Sequence, residues 1–181
     1  IGWVGFIGAL SGIKPGKFSL TLNAVLSNDS PEIALPISFL LRDILDGVDS
    51  FNEARKQLEH TVIASDCLLL LSGINSNEMV VIERTPRRFA SQESKSGFII
   101  VTNDYKELEN NPTNESVLQS TSCGRYNRVE EMLKEDAPTN LRECFTILKD
   151  KKIMMGITVQ QMVFNNKTGE ILLIKTDSNA T

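Results

Sequence analysis

Apolar and polar positions alternate with period two from Phe18 to Asn23: Phe18, Leu20 and Leu22 on one face, Ser19, Thr21 and Asn23 on the other. That pattern predicts a half-buried strand ending on a side-chain amide. The glycine-punctuated stretch before it reads as a loop that turns through Lys14-Pro15-Gly16, where Pro and Gly preset a tight turn. Next, Ser30 fits an N-cap and Pro31 the first helical position, with Ile33, Ile37, Leu40, Leu41, Ile44 and Leu45 as an apolar stripe and Gly47 as the stop. A second helix, capped by Ser50, runs to His60 with Phe51, Ala54 and Leu58 inward. Cys67 to Leu71 reads as a buried strand, Ser72 to Asn77 as a turn and Met79 to Ile82 as the hairpin partner. Phe98 to Val101 reads as a further strand leading into Thr102-Asn103-Asp104-Tyr105, and Lys106 to Thr121 as a long loop. Helices are expected over Ser122 to Lys134 and Asn140 to Leu148. Strands are expected over Ile157 to Phe164 and Glu170 to Thr176, joined by a five-residue loop. Helix pairs clustered between clustered strands predict an α+β domain with helix layers on sheets, not a doubly wound α/β fold.

At 181 residues the chain holds one good core, so 1–181 reads as a single domain. A net charge of −4 and a pI near 5.1 argue against nucleic acid as an obligatory partner. No apolar run approaches the roughly 18 residues of a membrane span. The first residue is Ile1, with no basic n-region or signal-peptide pattern, so the chain is expected to begin inside a longer precursor or to be a proteolytic piece of one. An odd count of three cysteines excludes a complete internal disulfide framework. Asn28, Asn114, Asn166 and Asn179 each open an N-glycosylation triplet; these permit a secretory or lysosomal home, and the compartment stays open.

Few residue types here can carry chemistry. Asn103 follows an apolar strand where the chain emerges; a buried amide there can hold a developing oxyanion, worth on the order of 3 kcal/mol per donor, or it can make an Asx-turn. Asn23 ends the opening strand and has the same two readings. Arg125 opens a helix after the long loop; its guanidinium suits a substrate carbonyl or a buried carboxylate, or it faces solvent. Cys67 and Cys144 read as core thiols. Cys123 lies by a helix start near Arg125 and Arg128, both of which would lower its pKa. His60, the single histidine, reads as structural at a helix end. One His and three scattered Cys give no zinc spacing, and neither glycine-rich nucleotide motif is present. No cofactor or metal is expected.

The opening stretch, Gly2-Trp3-Val4-Gly5 through Lys14-Pro15-Gly16-Lys17-Phe18-Ser19-Leu20-Thr21-Leu22-Asn23, resembles the G-x-V-G-x-x-T/S-G-x-x-P-G-x-F-S-L-T-L-N block of the acid ceramidase and N-acylethanolamine amidase branch of the choloylglycine hydrolase family. Leu71-Ser72-Gly73 with Val81-Ile82-Glu83-Arg84 is similar to its hairpin of the form L-x-G-x-x-x-x-x-x-V-I-x-R. Ile157-Thr158-Val159 through Thr168-Gly169-Glu170 looks like its closing hairpin. The resemblance implies an αββα sandwich of two antiparallel sheets between helix layers, incomplete in this chain, and hydrolysis of the linear amide of an N-acyl substrate by an N-terminal cysteine freed by autocleavage. By the same resemblance, Asn23, Asn103 (in the family's T-N pattern) and Arg125 (in its S-x-x-R-Y/F pattern) belong to the active site. The acidic run of the animal ceramidases is absent beside Arg125, where the chain looks more like the general bacterial pattern. The nucleophile is expected upstream of Ile1, on an upstream segment or a second chain. The alternative is a catalytically inactive binding or scaffold module of the same fold. A truncated sandwich should expose apolar sheet surface, whereas an independent module should be closed.

Overall fold

The Pro15-Gly16 turn forms as the sequence dictates: Gly16 takes φ 70° and the Lys17 N–H reaches the Lys14 carbonyl at 3.0 Å. In the computed structural model, which describes residues 1–2, 4–110 and 116–175, that turn joins two strands, β1 (Ser11–Lys14) and β2 (Phe18–Asn23). The glycine-rich stretch is therefore partly a strand, not wholly a loop. Gly12 is there for close approach, since a Cβ would collide with Leu45 of the covering helix.

An antiparallel sheet continues from β2 through β3 (Cys67–Ser72), β4 (Met79–Arg84) and β5 (Phe89–Glu93), in the order β1-β2-β3-β4-β5. The register places Asn23 opposite Leu68, Leu68 opposite Glu83 and Glu83 opposite Ala90. Helices α1 (Ile37–Gly47) and α2 (Phe51–His60) cover one face. Leu40, Leu41, Ile44, Ala54 and Leu58 meet Phe18, Leu20, Leu69, Leu71, Val80 and Ile82 there as the main core. Each fully buried Leu, Ile or Phe in that layer contributes about 1.5–3 kcal/mol. The other face carries a smaller cluster of Val25, Leu68 and Tyr105, with Val101 and Leu108 against it.

Helix α1 starts at Ile37, not at Pro31 after a Ser30 cap. Pro36 sits inside the expected helix, where it has no N–H to give and biases Leu35 to extended backbone. Leu35 instead makes a parallel bridge to Ile63. The α2 cap is as expected, Ser50 Oγ accepting from the Glu53 N–H at 3.2 Å. Strand β5 escaped the pattern reading because an edge strand reading Phe-Ala-Ser-Gln-Glu has little apolar alternation. Phe98 to Val101 forms no ladder with any strand among the described residues. It is an unpaired segment whose Val101 carbonyl accepts from a side chain.

Beyond it lie α3 (Val117–Ser120), α4 (Ser122–Glu135), α5 (Leu141–Leu148) and the hairpin β6 (Gln160–Phe164) and β7 (Ile171–Lys175). The single turn α3 was read as loop, but Ser116 and Gln119 form a capping box around it. Strand β6 is shorter than expected because the Thr158 N–H and hydroxyl close a turn on Met155. The β6–β7 turn is seated on the main sheet. Asn166 Nδ2 donates to the Ser72 and Gly73 carbonyls at 2.7 and 2.9 Å, and Gly169 (φ 77°) leaves no room for a Cβ against Pro15. A glycan on the Asn166 nitrogen would replace one of the two hydrogens that make those bonds; Asn28 is exposed, and Asn114 and Asn179 lie outside the described residues.

The segment between β2 and α1 is tied over the β4–β5 turn by two forked ion pairs. Arg88 donates to both Asp29 oxygens at 3.0 and 2.8 Å, and Arg87 likewise to both oxygens of Glu32. The bond from Arg88, then that from Thr85, holds the Asp29 carboxyl below its ordinary value; the bond from Arg128 does the same for Asp150. A depressed carboxylate contributes stability that is complete above about pH 4 and is lost as pH falls through the folded-state value. Stability should thus be flat in this respect between pH 7 and 5 and fall below about 4. In acid titrations followed by circular dichroism, Arg88→Gln should unfold at a higher pH than the wild type.

Candidate active site

Asn23 and Asn103 each clasp the backbone next to the other. Asn23 Nδ2 donates to the Thr102 carbonyl at 2.7 Å, and Asn103 Nδ2 donates to the Ala24 carbonyl at 2.7 Å. The end of β2 is thereby joined to the 101–103 segment without a ladder. Alternation along β2 puts Asn23 on the sheet face opposite the helices, so the clasp lies on that face. Asn103 is 8% exposed, and a buried amide must have its polar atoms partnered.

The segment is also fixed from α4. Ser122, fully buried at the helix start, shares a hydrogen bond with Thr102 Oγ1 at 2.7 Å and accepts the Asn103 N–H at 2.9 Å. One turn on, Arg125 Nη2 donates to Asn103 Oδ1 at 2.9 Å and to the Leu118 carbonyl at 2.7 Å. Burial pulls the Arg125 guanidinium below its ordinary value, but an arginine stays charged at any physiological pH. Arginine only donates, so it fixes which way the Asn103 amide faces: oxygen to Arg125, nitrogen to Ala24. The amide nitrogen carries a second hydrogen, and the Arg125 charge beside its oxygen polarises it as a donor.

Asn23, Asn103 and Arg125 are thus brought into one contact network, from three parts of the chain. A cleft of about 460 Å³ lies between β5, residues 94–100 and α4, with Ile100 and Tyr126 among its walls; Asn23, Asn103 and Arg125 do not line it. His60 stands edge-on to Phe89 with ring centroids 5.0 Å apart, a packing role. Among the described residues no group of three or more His, Cys, Asp or Glu side chains is placed to hold a metal ion. Nor is any helix long and apolar enough to cross a membrane.

The family model for acyl-coenzyme A:6-aminopenicillanic acid acyl-transferase matches residues 18–181. The chain belongs to that family. N-acylethanolamine-hydrolyzing acid amidase from Caenorhabditis elegans is 26% identical over 144 residues, 71% of this chain and 41% of that protein. Acid ceramidase from Macaca fascicularis is 36% identical over 93 residues, 45% of this chain and 24% of that protein. The chain therefore spans less than half the length of these curated relatives. Among solved structures, the C. elegans amidase ortholog superposes with a TM-score of 0.74 at 21% identity, covering 90% of this chain and 72% of that one. A variant of conjugated bile acid hydrolase from Clostridium perfringens gives 0.58 at 14%, covering 93% and 73%. These likenesses carry the fold, which is the N-terminal-nucleophile hydrolase type that the opening motif implied. The relatives of this acyl-transferase-family chain are amide hydrolases.

Two residues of the network lie in motifs that carry the resemblance, Ser122 in S-x-x-R-Y/F and Glu83 in Val81-Ile82-Glu83-Arg84, yet neither takes a role from the sequence. Ser122 is expected only as a helix start, and Glu83 only as a variable position of the hairpin motif; the structure has Glu83 tether residues 106–108. The cysteines behave differently from one another. Neither arginine that flanks Cys123 is turned to it: Arg125 serves Asn103, and Arg128 serves Asp150 and Glu131. Cys123 is exposed, whereas burial pushes the Cys67 thiol up to about 12 and raises that of Cys144. The thiolate is the reactive form, so iodoacetamide at pH 8 should label Cys123 in the folded acyl-transferase-family chain. Cys67 should react only on unfolding, as peptide mass spectrometry would show; equal labelling of both would contradict the burial.

Proposed function

We propose that this chain is the C-terminal part of a cysteine amidase that hydrolyses linear C–N amide bonds of N-acyl substrates. In this reading the nucleophile comes from an upstream segment or a second chain. The observation that supports it is the convergence of Asn23, Asn103 and Arg125 in one network, with Asn103 buried and oriented by a fixed cation. The supplied N-terminal cysteine attacks the acyl carbonyl, and its thiol proton passes to its own α-amine. The carbonyl oxygen gains the negative charge and accepts a hydrogen bond from the second N–H of the Asn103 amide. Collapse breaks the C–N bond, and the α-ammonium returns its proton to the leaving amine. Water then hydrolyses the acyl thioester, releasing the acid and restoring the thiol. Asn23 holds the segment that carries Asn103, and Arg125 sets the face its amide presents.

A further observation favours this over an inactive, self-contained module. Among the described residues the β6–β7 sheet has two strands, with Ile171 and Leu173 45% and 40% exposed along it and Val159 59% exposed just before β6. An apolar, two-stranded surface of that kind suits cover by more polypeptide. The test uses the full-length protein that carries this chain, assayed with N-acyl amides of a fluorogenic amine over a range of acyl lengths. Amine release that is abolished by blocking an N-terminal cysteine is the expected result. A folded, processed protein that releases no amine from any member of the series would overturn the reading and favour the binding module.

A further inference from the structure

We propose that Glu83 is a positioning residue of the site, its buried carboxylate clamping the Tyr105–Leu108 turn so that the Asn103 amide is held at the substrate. This rests on the amidase reading for its kinetic consequence and on the geometry alone for the clamp. Along β4, Val80 and Ile82 belong to the core under the helices, so alternation sends Val81 and Glu83 to the opposite face, where the Asn103 segment lies. Glu83 is 1% exposed. Its carboxylate accepts three consecutive backbone N–H groups, from Lys106 at 2.6 Å, Glu107 at 3.0 Å and Leu108 at 2.8 Å. Successive N–H groups converging on one point form an anion cradle, here filled by the chain's own side chain. Such charge-assisted bonds are roughly twice as strong as neutral ones.

The neighbouring residue of β4 completes the clamp. The Tyr105 hydroxyl donates to the Arg84 carbonyl at 2.7 Å, so residues 105–108 are tied to two successive positions of a central strand. Only Asp104 separates that anchor from Asn103. A void of about 10 Å³ beside Glu83, Thr102 and Asp104 is at the lower limit for one water, so little solvent is at hand to replace the N–H donors. A carboxylate this buried is costly without its partners, which keeps the turn in place, and any shift of the turn passes through one residue to the Asn103 amide.

The test is made on the full-length protein that carries this chain, with Glu83→Gln, which keeps the shape and removes the charge, and Tyr105→Phe, which loosens the same turn from its other tether. In Glu83→Gln, amide hydrogen exchange at residues 106–108 should quicken at least about tenfold while β3 amides keep their protection. The kcat on N-acyl amides should fall about 10–100-fold with KM within about twofold, the signature of a misplaced group and not of lost binding. Tyr105→Phe should show the same pattern more weakly, and it carries the test should Glu83→Gln not fold. Unchanged exchange at 106–108, or faster exchange with wild-type kcat, overturns the proposal. If the wild type hydrolyses no N-acyl amide, the amidase reading fails separately. The clamp is then read from the Asn103 side-chain amide signals, which should shift and exchange faster in Glu83→Gln; unchanged signals overturn it.

Discussion

Asn103→Ala in the full-length protein should lower kcat on N-acyl amides by about 10²–10³-fold, the usual effect of deleting one oxyanion donor. KM should move far less, because the donor acts on charge that exists only in the transition state. Asn103→Asp is the more telling variant. It keeps the volume and leaves an oxygen for Arg125 at 2.9 Å, but turns the nitrogen that bonds Ala24 into a second oxygen facing a carbonyl. Activity should fall as in the alanine variant, although the Arg125 pair survives. Arg125→Leu should fall less, about tenfold, since the amide is then free to face either way but still present. Single-turnover kinetics on the three variants check the order. An Asn103→Asp enzyme within about threefold of wild type would remove Asn103 from the oxyanion.

How much of this was legible depended on the range of the interaction. Short-range physics spoke plainly: the period-two face of Phe18, Leu20 and Leu22, the Ser50 cap, and a helix from Asn140, whose side chain turns out to cap α5 by accepting from the Arg142 and Glu143 N–H groups at 3.0 Å. Where the reading failed, a tertiary contact had outvoted local pattern. Gly12 marks a strand pressed against Leu45, and Leu35 is drawn from the expected helix to Ile63. The 98–101 segment, apolar enough for a strand, finds no partner strand among the described residues, and its end is held by Asn23 instead. The site shows the same division. Asn23 and Asn103 lie 80 positions apart, and nothing in their neighbourhoods says that each amide ends on the carbonyl of a residue adjoining the other; only family resemblance brought them together. Glu83 and Ser122 lie within the motifs that carry it, but the resemblance gave neither a role. A buried polar residue is defined by its partners, and theirs come from elsewhere in the chain.

Arg84 makes the contrast with its neighbour testable. Its side chain is 1% exposed and points to the helix layer, where Nη1 donates to the Leu58 carbonyl and Nη2 to the Thr61 carbonyl at 2.6 Å. A cation thus closes the C-terminal end of α2, where the last carbonyls lack partners and the dipole is negative. Burial pulls its pKa down and leaves Nε without a partner, so the arginine bears a desolvation cost of its own. Arg84→Met relieves that cost but removes two charge-assisted bonds worth about 1.5–3 kcal/mol each and strands two carbonyls. The net loss should be about 2–4 kcal/mol, read as a Tm lower by roughly 10 °C in a domain of this size. The kcat measured at a temperature where both proteins are folded should stay within about twofold, because the Arg84 carbonyl still receives Tyr105. Adjacent residues of one strand would then separate cleanly, Glu83 in kinetics and Arg84 in stability. A Met variant with wild-type Tm would mean that α2 ends as well in water as on the guanidinium.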